Sequence, residues 1–178
     1  LIMKRLKEIW LYVFFLLFII PVYAGQDHGK HGFTKQHRKN YYGEIMTCYK
    51  DTNAYKFTES PRDINMSTPE LIGVNEINPE IIKKIETTIF TEKEITELNK
   101  PGRVNIMQCI VHTDGRIVSV SFDFNGIDPK IDLQKLARYR EEIKELFKMK
   151  LTFSSKIVQD GYINWSSQVF PAKEIKYK

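Results

Sequence analysis

The clearest pattern of apolar and polar positions runs from Val104 to Phe124, where two β-rich stretches flank Asp114-Gly115. In the second, Val118, Val120, Phe122 and Phe124 alternate with Ser119, Ser121 and Asp123, which predicts a strand with one core face and one solvated face. The first stretch is apolar on both faces, Val104, Ile106 and Ile110 against Met107, Cys109 and Val111, as suits a central or doubly covered strand. Asp-Gly between them predicts a hairpin, because Gly115 accepts positive φ without a Cβ clash. Two registers are open. A two-residue turn pairs Val111 with Val118, and a three-residue loop with Gly115 in a bulge pairs Val111 with Ile117.

Helical periodicity appears three times. Leu133, Leu136, Ala137, Ile143 and Phe147 form one stripe of a helix from about Asp132 to Lys148, with Glu141, Glu142, Lys144 and Glu145 as its solvated side. Asn78-Pro79-Glu80 starts an earlier helix, since Asn caps, Pro is pre-set for the first position and Glu suits the positive end of the dipole; Ile81, Ile82, Ile85 and Ile89 supply its apolar face. Thr91 to Glu94 has capping-box spacing, and Ile95 and Leu98 give that third helix a buried stripe.

Before the helices, Glu44 to Tyr49 reads as a strand, Asp51-Thr52-Asn53 as a turn, and Tyr55 and Phe57 as a short return; Ser60 to Asn78 reads as a loop. After the main helix, Leu151 to Phe153 is a short extended piece and Asp160-Gly161 a turn. Ile163, Trp165, Ser167 and Val169 alternate with polar neighbours as a last half-buried strand, and Ala172 to Lys178 forms a charged tail that frays. These elements predict an α+β fold: an antiparallel sheet with a β-hairpin, one main amphipathic helix packed on one face as a β-β-α-β core, and two shorter helices before it.

Composition adds a location. Lys4-Arg5-Leu6-Lys7, the apolar run from Ile9 to Ile20 and Pro21-Val22-Tyr23-Ala24 resemble a secretory signal peptide, with small residues at the two positions the peptidase reads. Ile9 to Ala24 is 16 residues, short of the about 20 that span a bilayer, which favours cleavage over retention as an anchor. Residues 1–24 are therefore expected to be a leader, 25–40 a flexible polar tail carrying His28, His31 and His37, and 41–178 one α+β domain placed in the periplasm or secreted. The net charge of +5 falls to +3 once Lys4, Arg5 and Lys7 leave with Glu8, so charge singles out no partner and gives no case for nucleic acid.

Little in the chain points to chemistry. No catalytic motif, phosphate loop or metal-ligand spacing stands out, and no catalytic, cofactor or metal residue is singled out. The histidines of the tail lack a structured fourth ligand nearby. Cys109 and His112 lie three apart on a strand, hence on opposite faces, which argues against a Cys-His dyad; His112 should be exposed beside the turn. Asp114 and Asp123 are explained by turn chemistry and a solvated strand face. Cys48 and Cys109, the only cysteines, either pair as a disulfide or remain free buried thiols. A bridge over 61 residues of sequence would stabilise by roughly 4 kcal/mol.

Taken together, the last three-quarters of the chain resembles an exported Bacteroidales family of unassigned function. Val104 to Phe170, about 67 residues, also resembles the carboxy-terminal domain of TonB. The likeness rests on the strand ending Val111-His112-Thr113-Asp114-Gly115, the strand Ile117 to Val120, the Asp-Pro before an amphipathic helix, and a final strand ending Phe170-Pro171. TonB proteins keep a membrane anchor and a long proline-rich spacer, whereas this chain has a cleavable-looking leader and 7 prolines. The resemblance implies a small helix-on-sheet module that meets partners through a sheet edge. The expected function is an exported, non-enzymatic interaction module of the cell envelope that binds a protein through a sheet edge or the hairpin face. The alternatives are a periplasmic protein binding a small ligand or metal, and an enzyme of unrecognised type.

Overall fold

The computed structural model describes residues 30–39, 43–75, 77–100, 104–126 and 128–170. The expected leader (1–24), His28 and the tail from Ala172 lie outside the described residues. Strand β5 (Asn105–His112) and strand β6 (Ile117–Asn125) form the expected hairpin at the middle of a five-stranded antiparallel sheet. Its strand order is β1 (Phe33–Lys39), β2 (Ile45–Asp51), β6, β5, β9 (Tyr162–Val169). Two small antiparallel pairs flank it: β3 (Arg62–Asp63) with β8 (Ile157–Gln159), and β4 (Leu71–Val74) with β7 (Leu151–Phe153). The fold is α+β, with helices α1 (Pro79–Ile89), α2 (Glu92–Leu98) and α3 (Leu133–Leu146).

The hairpin takes the three-residue loop. Val111 pairs with Ile117, the His112 N–H donates to Arg116 O at 2.9 Å, and Gly115 sits at φ +89°. A side chain there would also meet Met149 O at 1.9 Å, so the glycine serves both the turn and the close passage of the chain after α3. A second irregularity leaves Val118 without a partner between the Ile110–Ser119 and Val111–Ile117 pairs. Ile117 therefore takes the core position expected for Val118, which is only half-buried.

One face of the sheet is roofed. Leu136, Tyr139 and Ile143 of α3 close over Val120, Phe122, Phe124 and Met107, all fully buried. The Tyr139 ring stacks on Phe122 at 5.4 Å and 16°, and Phe170 and Phe90 meet Tyr139 edge-on or tilted. Burying one such ring stabilises by about 1.5–3 kcal/mol. The two caps read from sequence are made, Asn78 accepting an N–H bond at the start of α1 and Thr91 and Glu94 forming the capping box of α2, and the structure adds a third, Asp132, which accepts the Gln134 N–H at the start of α3. Ile81 departs from its stripe and is exposed, whereas Glu86 is buried among the isoleucines.

Three expectations are corrected. Phe33–Lys39, assigned to a flexible tail, is the edge strand β1, paired over seven residues with β2. Its basic, aperiodic sequence is what an edge strand uses to discourage further pairing. Phe33 anchors it: the ring is buried, and the Arg140 guanidinium lies 4.6 Å over it while donating to Gly32 O at 3.0 Å. The return through Tyr55 and Phe57 is a 3-10 turn, Ala54–Lys56, because the Asp51 carboxylate accepts the Asn53 N–H and curls the chain at the end of β2. The segment 60–78 contains β3 and β4, strands too short to announce themselves as periodic.

Candidate functional site

Among the described residues, the sheet's other face carries no helix. Side chains that alternate away from the core line a cleft of about 1330 Å³, bounded on one side by the segment after the 3-10 turn. That segment is pinned to β9: Tyr162 N–H donates to Glu59 O at 2.7 Å, and the Phe57 and Tyr162 rings lie 5.1 Å apart. Gly161 makes this approach possible, since a Cβ there would fall 2.3 Å from Pro61 N.

At the floor of the cleft Asp123 is buried, 3% exposed. Burying a carboxylate is costly unless it is paired and hydrogen-bonded. Here the Arg38 guanidinium donates to it at 2.7 Å and the Gln108 carboxamide donates as well. Arg38 itself remains 55% exposed, so the cation reaches from the buried acid into the cleft. Nearby, Asp51 is held by Ser119, whose hydroxyl donates to it at 2.9 Å, and by Arg140 at 3.7 Å. Asp123 was expected on a solvated face. The alternation is as expected, but β1 and its Arg38 cover the residue, and this is what the sequence pattern of the hairpin alone could not contain.

Burial pushes the Cys48 thiol up to about 12, reinforced by the bond and charge of Asp123 and opposed by Arg38. Burial alone raises Cys109 to about 12. Thiols so perturbed stay protonated and are poor nucleophiles at neutral pH. Both are free. The possible Cys48–Cys109 bridge is corrected by topology: Cys48 faces the cleft beside Asp123, Cys109 faces the helices beside Val120, and β6 runs between their strands. Two strand spacings amount to about 9–10 Å, beyond the roughly 7 Å that a disulfide tolerates between Cα atoms.

His112 points away from Cys109, as strand geometry requires. It is half-buried against the Tyr162 ring at 5.3 Å rather than exposed, with Nδ1 3.0 Å from Asp114. Although partial burial works against ionisation, the bonds from Arg116 and His112 hold the Asp114 carboxyl well below its usual range, as turn chemistry implies. Among the described residues, no group of three or more His, Cys, Asp or Glu is placed to hold a metal ion. His37 meets Thr47 Oγ1 at 3.3 Å.

The two edges of the sheet differ. β1 carries Lys35, His37, Arg38 and Lys39. β9, Tyr-Ile-Asn-Trp-Ser-Ser-Gln-Val, has no charge, no proline and no irregularity in its pairing with β5. Because the Tyr162 N–H points outward to Glu59 and the His112 N–H points to Arg116, the alternation of an antiparallel pair turns the backbone groups of Asn164, Ser166 and Gln168 outward as well. No hydrogen bond among the described residues engages them. Ile163 and Trp165, half-buried against the core, lie along the same edge on the helix side.

This architecture has a solved counterpart. The chain is similar to a DUF5043 family protein from Bacteroides uniformis, with a TM-score of 0.51 and 17% identity, over 82% of this chain and 90% of that one. At that identity the likeness shows the fold. It also agrees with the resemblance to an uncharacterised Bacteroidales family. No protein-family model matches the chain, and no curated protein matches its sequence.

Proposed function

We propose that this chain is an exported interaction module of the cell envelope whose β9 edge takes up an extended segment of a protein partner. The observation that carries the proposal is the uncharged outer edge of β9, where no described residue engages the peptide groups of Asn164, Ser166 and Gln168. Strand addition draws affinity from main-chain hydrogen bonds and specificity from alternate side chains. Trp165 and Ile163 beside the edge offer the apolar contact, and Trp is a frequent hot-spot residue. The opposite edge is blunted by its cations, so one edge is available and one is guarded. The leader-like Lys4 to Ala24 supports export, and the order of hairpin, helix and final strand supports the TonB-type likeness and its mode of edge contact.

The test is a pulldown from envelope extract with the wild-type chain and with Gln168→Pro. Proline at this position removes one outward N–H and leaves the β5 pairing intact. A specific partner retained by the wild type and lost by the variant is the expected result. Recovery of no specific partner, or equal retention by both, would contradict the proposal. Intact mass of the exported protein should show a chain beginning after Ala24.

A further inference from the structure

The cleft over the uncovered face, at about 1330 Å³, exceeds the roughly 300–1,000 Å³ of a pocket for a drug-sized molecule. It suits an elongated ligand. Its charges are mostly engaged within the protein: Arg38 meets Asp123, Asp51 lies 3.7 Å from Arg140, and Lys50 is the lining cation left without an ion pair among the described residues. What the walls offer is neutral. Gln36, Gln108 and Asn164 present carboxamides, and Ser121, Ser166 and Thr58 present hydroxyls. Rings join the lining: Tyr55 is 73% exposed on the 3-10 turn, outside the hydrophobic cluster, and Phe57 and Tyr162 lie in the wall.

We propose that this cleft binds a neutral oligosaccharide, with sugar hydroxyls bonded to the carboxamides and hydroxyls and sugar C–H faces stacked on Tyr55, Phe57 and Tyr162. A sugar hydroxyl both donates and accepts, and so do the carboxamide and hydroxyl groups that line the cleft. The C–H face of a sugar ring is weakly positive and meets the negative face of an aromatic ring. The floor is set in advance: Asp123 fixes Arg38 and Gln108, leaving the Gln108 carbonyl and the remaining guanidinium N–H groups for the ligand. An extended peptide fits this face less well. It seeks backbone partners, and the inner strands β2, β6 and β5 are paired on both sides.

This inference is independent of the β9 edge, and its test separates the two. The purified chain is applied to an array of neutral and acidic oligosaccharides, and a retained sugar is titrated by calorimetry. Retention of a neutral oligosaccharide is expected, with affinity lowered at least tenfold by Tyr55→Ala and by Asn164→Ala, both exposed positions whose variants should keep the wild-type melting temperature. Gln168→Pro should bind the sugar as the wild type does. Retention of no neutral sugar, retention of acidic sugars alone, or unchanged affinity in both variants would overturn the proposal. So would loss of an envelope protein, in place of the sugar, on Tyr55→Ala.

Discussion

Two buried carboxylates lie on opposite sides of the same sheet, and they are neutralised differently. Glu86, 3% exposed on the helix side, accepts the Tyr139 hydroxyl and the Phe170 N–H, each at 2.9 Å, and no cation among the described residues pairs with it. Burial raises its proton affinity against the pull of those two bonds. Asp123, on the cleft side, has a guanidinium that is half in water. The first acid is a tie between α1, α3 and the end of β9, and the second is a fixed base for groups that still face solvent. The difference separates an acid sealed inside the core from one whose partner cation still reaches water.

The largest effect expected from breaking this contrast is on the helix side. Phe122→Ala should cost about 3–5 kcal/mol, read from urea unfolding, because it empties the space under Tyr139. Asp123→Asn should cost about 1–3 kcal/mol by the same measurement, since it removes the charge that Arg38 and Gln108 meet. Asn164→Ala, on the exposed part of the cleft, should change stability by no more than about 0.5 kcal/mol. If Asp123→Asn cost as little as Asn164→Ala, the cleft floor would not be the preset element described above.

Glu86 also makes the helix side sensitive to pH. Its folded carboxyl binds a proton more tightly than an exposed glutamate, so the stability linked to that proton is full below the ordinary value of about 4.3 and is lost as pH rises through the raised folded value. Glu86→Gln stays neutral throughout. The stability of the variant relative to wild type should therefore climb as pH rises above about 4, read as urea midpoints across pH 4 to 7. Parallel profiles would mean that Glu86 is not the source of the effect.

The hairpin, the caps and the stripe of α3 were legible because each is local. Asp114-Gly115, Asn78-Pro79 and the Thr91–Glu94 box carry their own geometry in a few residues, and the structure has all three. What sequence alone missed is held by distant partners. Phe33–Lys39 becomes a strand because β2 and Arg140, over a hundred residues on, receive it; nothing in its own polar sequence shows this. Tyr139 falls on the α3 stripe, but a tyrosine there carries no mark of burial in the sequence, and its burial with Glu86 depends on α1 arriving above it. The cleft was illegible for the same reason: Arg38 and Gln108 come to Asp123 from two different strands. The two cysteines show the reverse. Both fall on strands as expected, and only the strand order reveals that they cannot pair.

Strand addition along β9, as proposed, is read residue by residue from amide hydrogen exchange with and without a partner recovered in the pulldown. In the free chain the Asn164, Ser166 and Gln168 amides should exchange rapidly while those of Ile163, Trp165 and Ser167, bonded to β5, are protected. Binding should slow the first three and leave β1 unchanged. Protection on β1 or on the outer faces of the helices, with those three amides still exchanging fast, would contradict it.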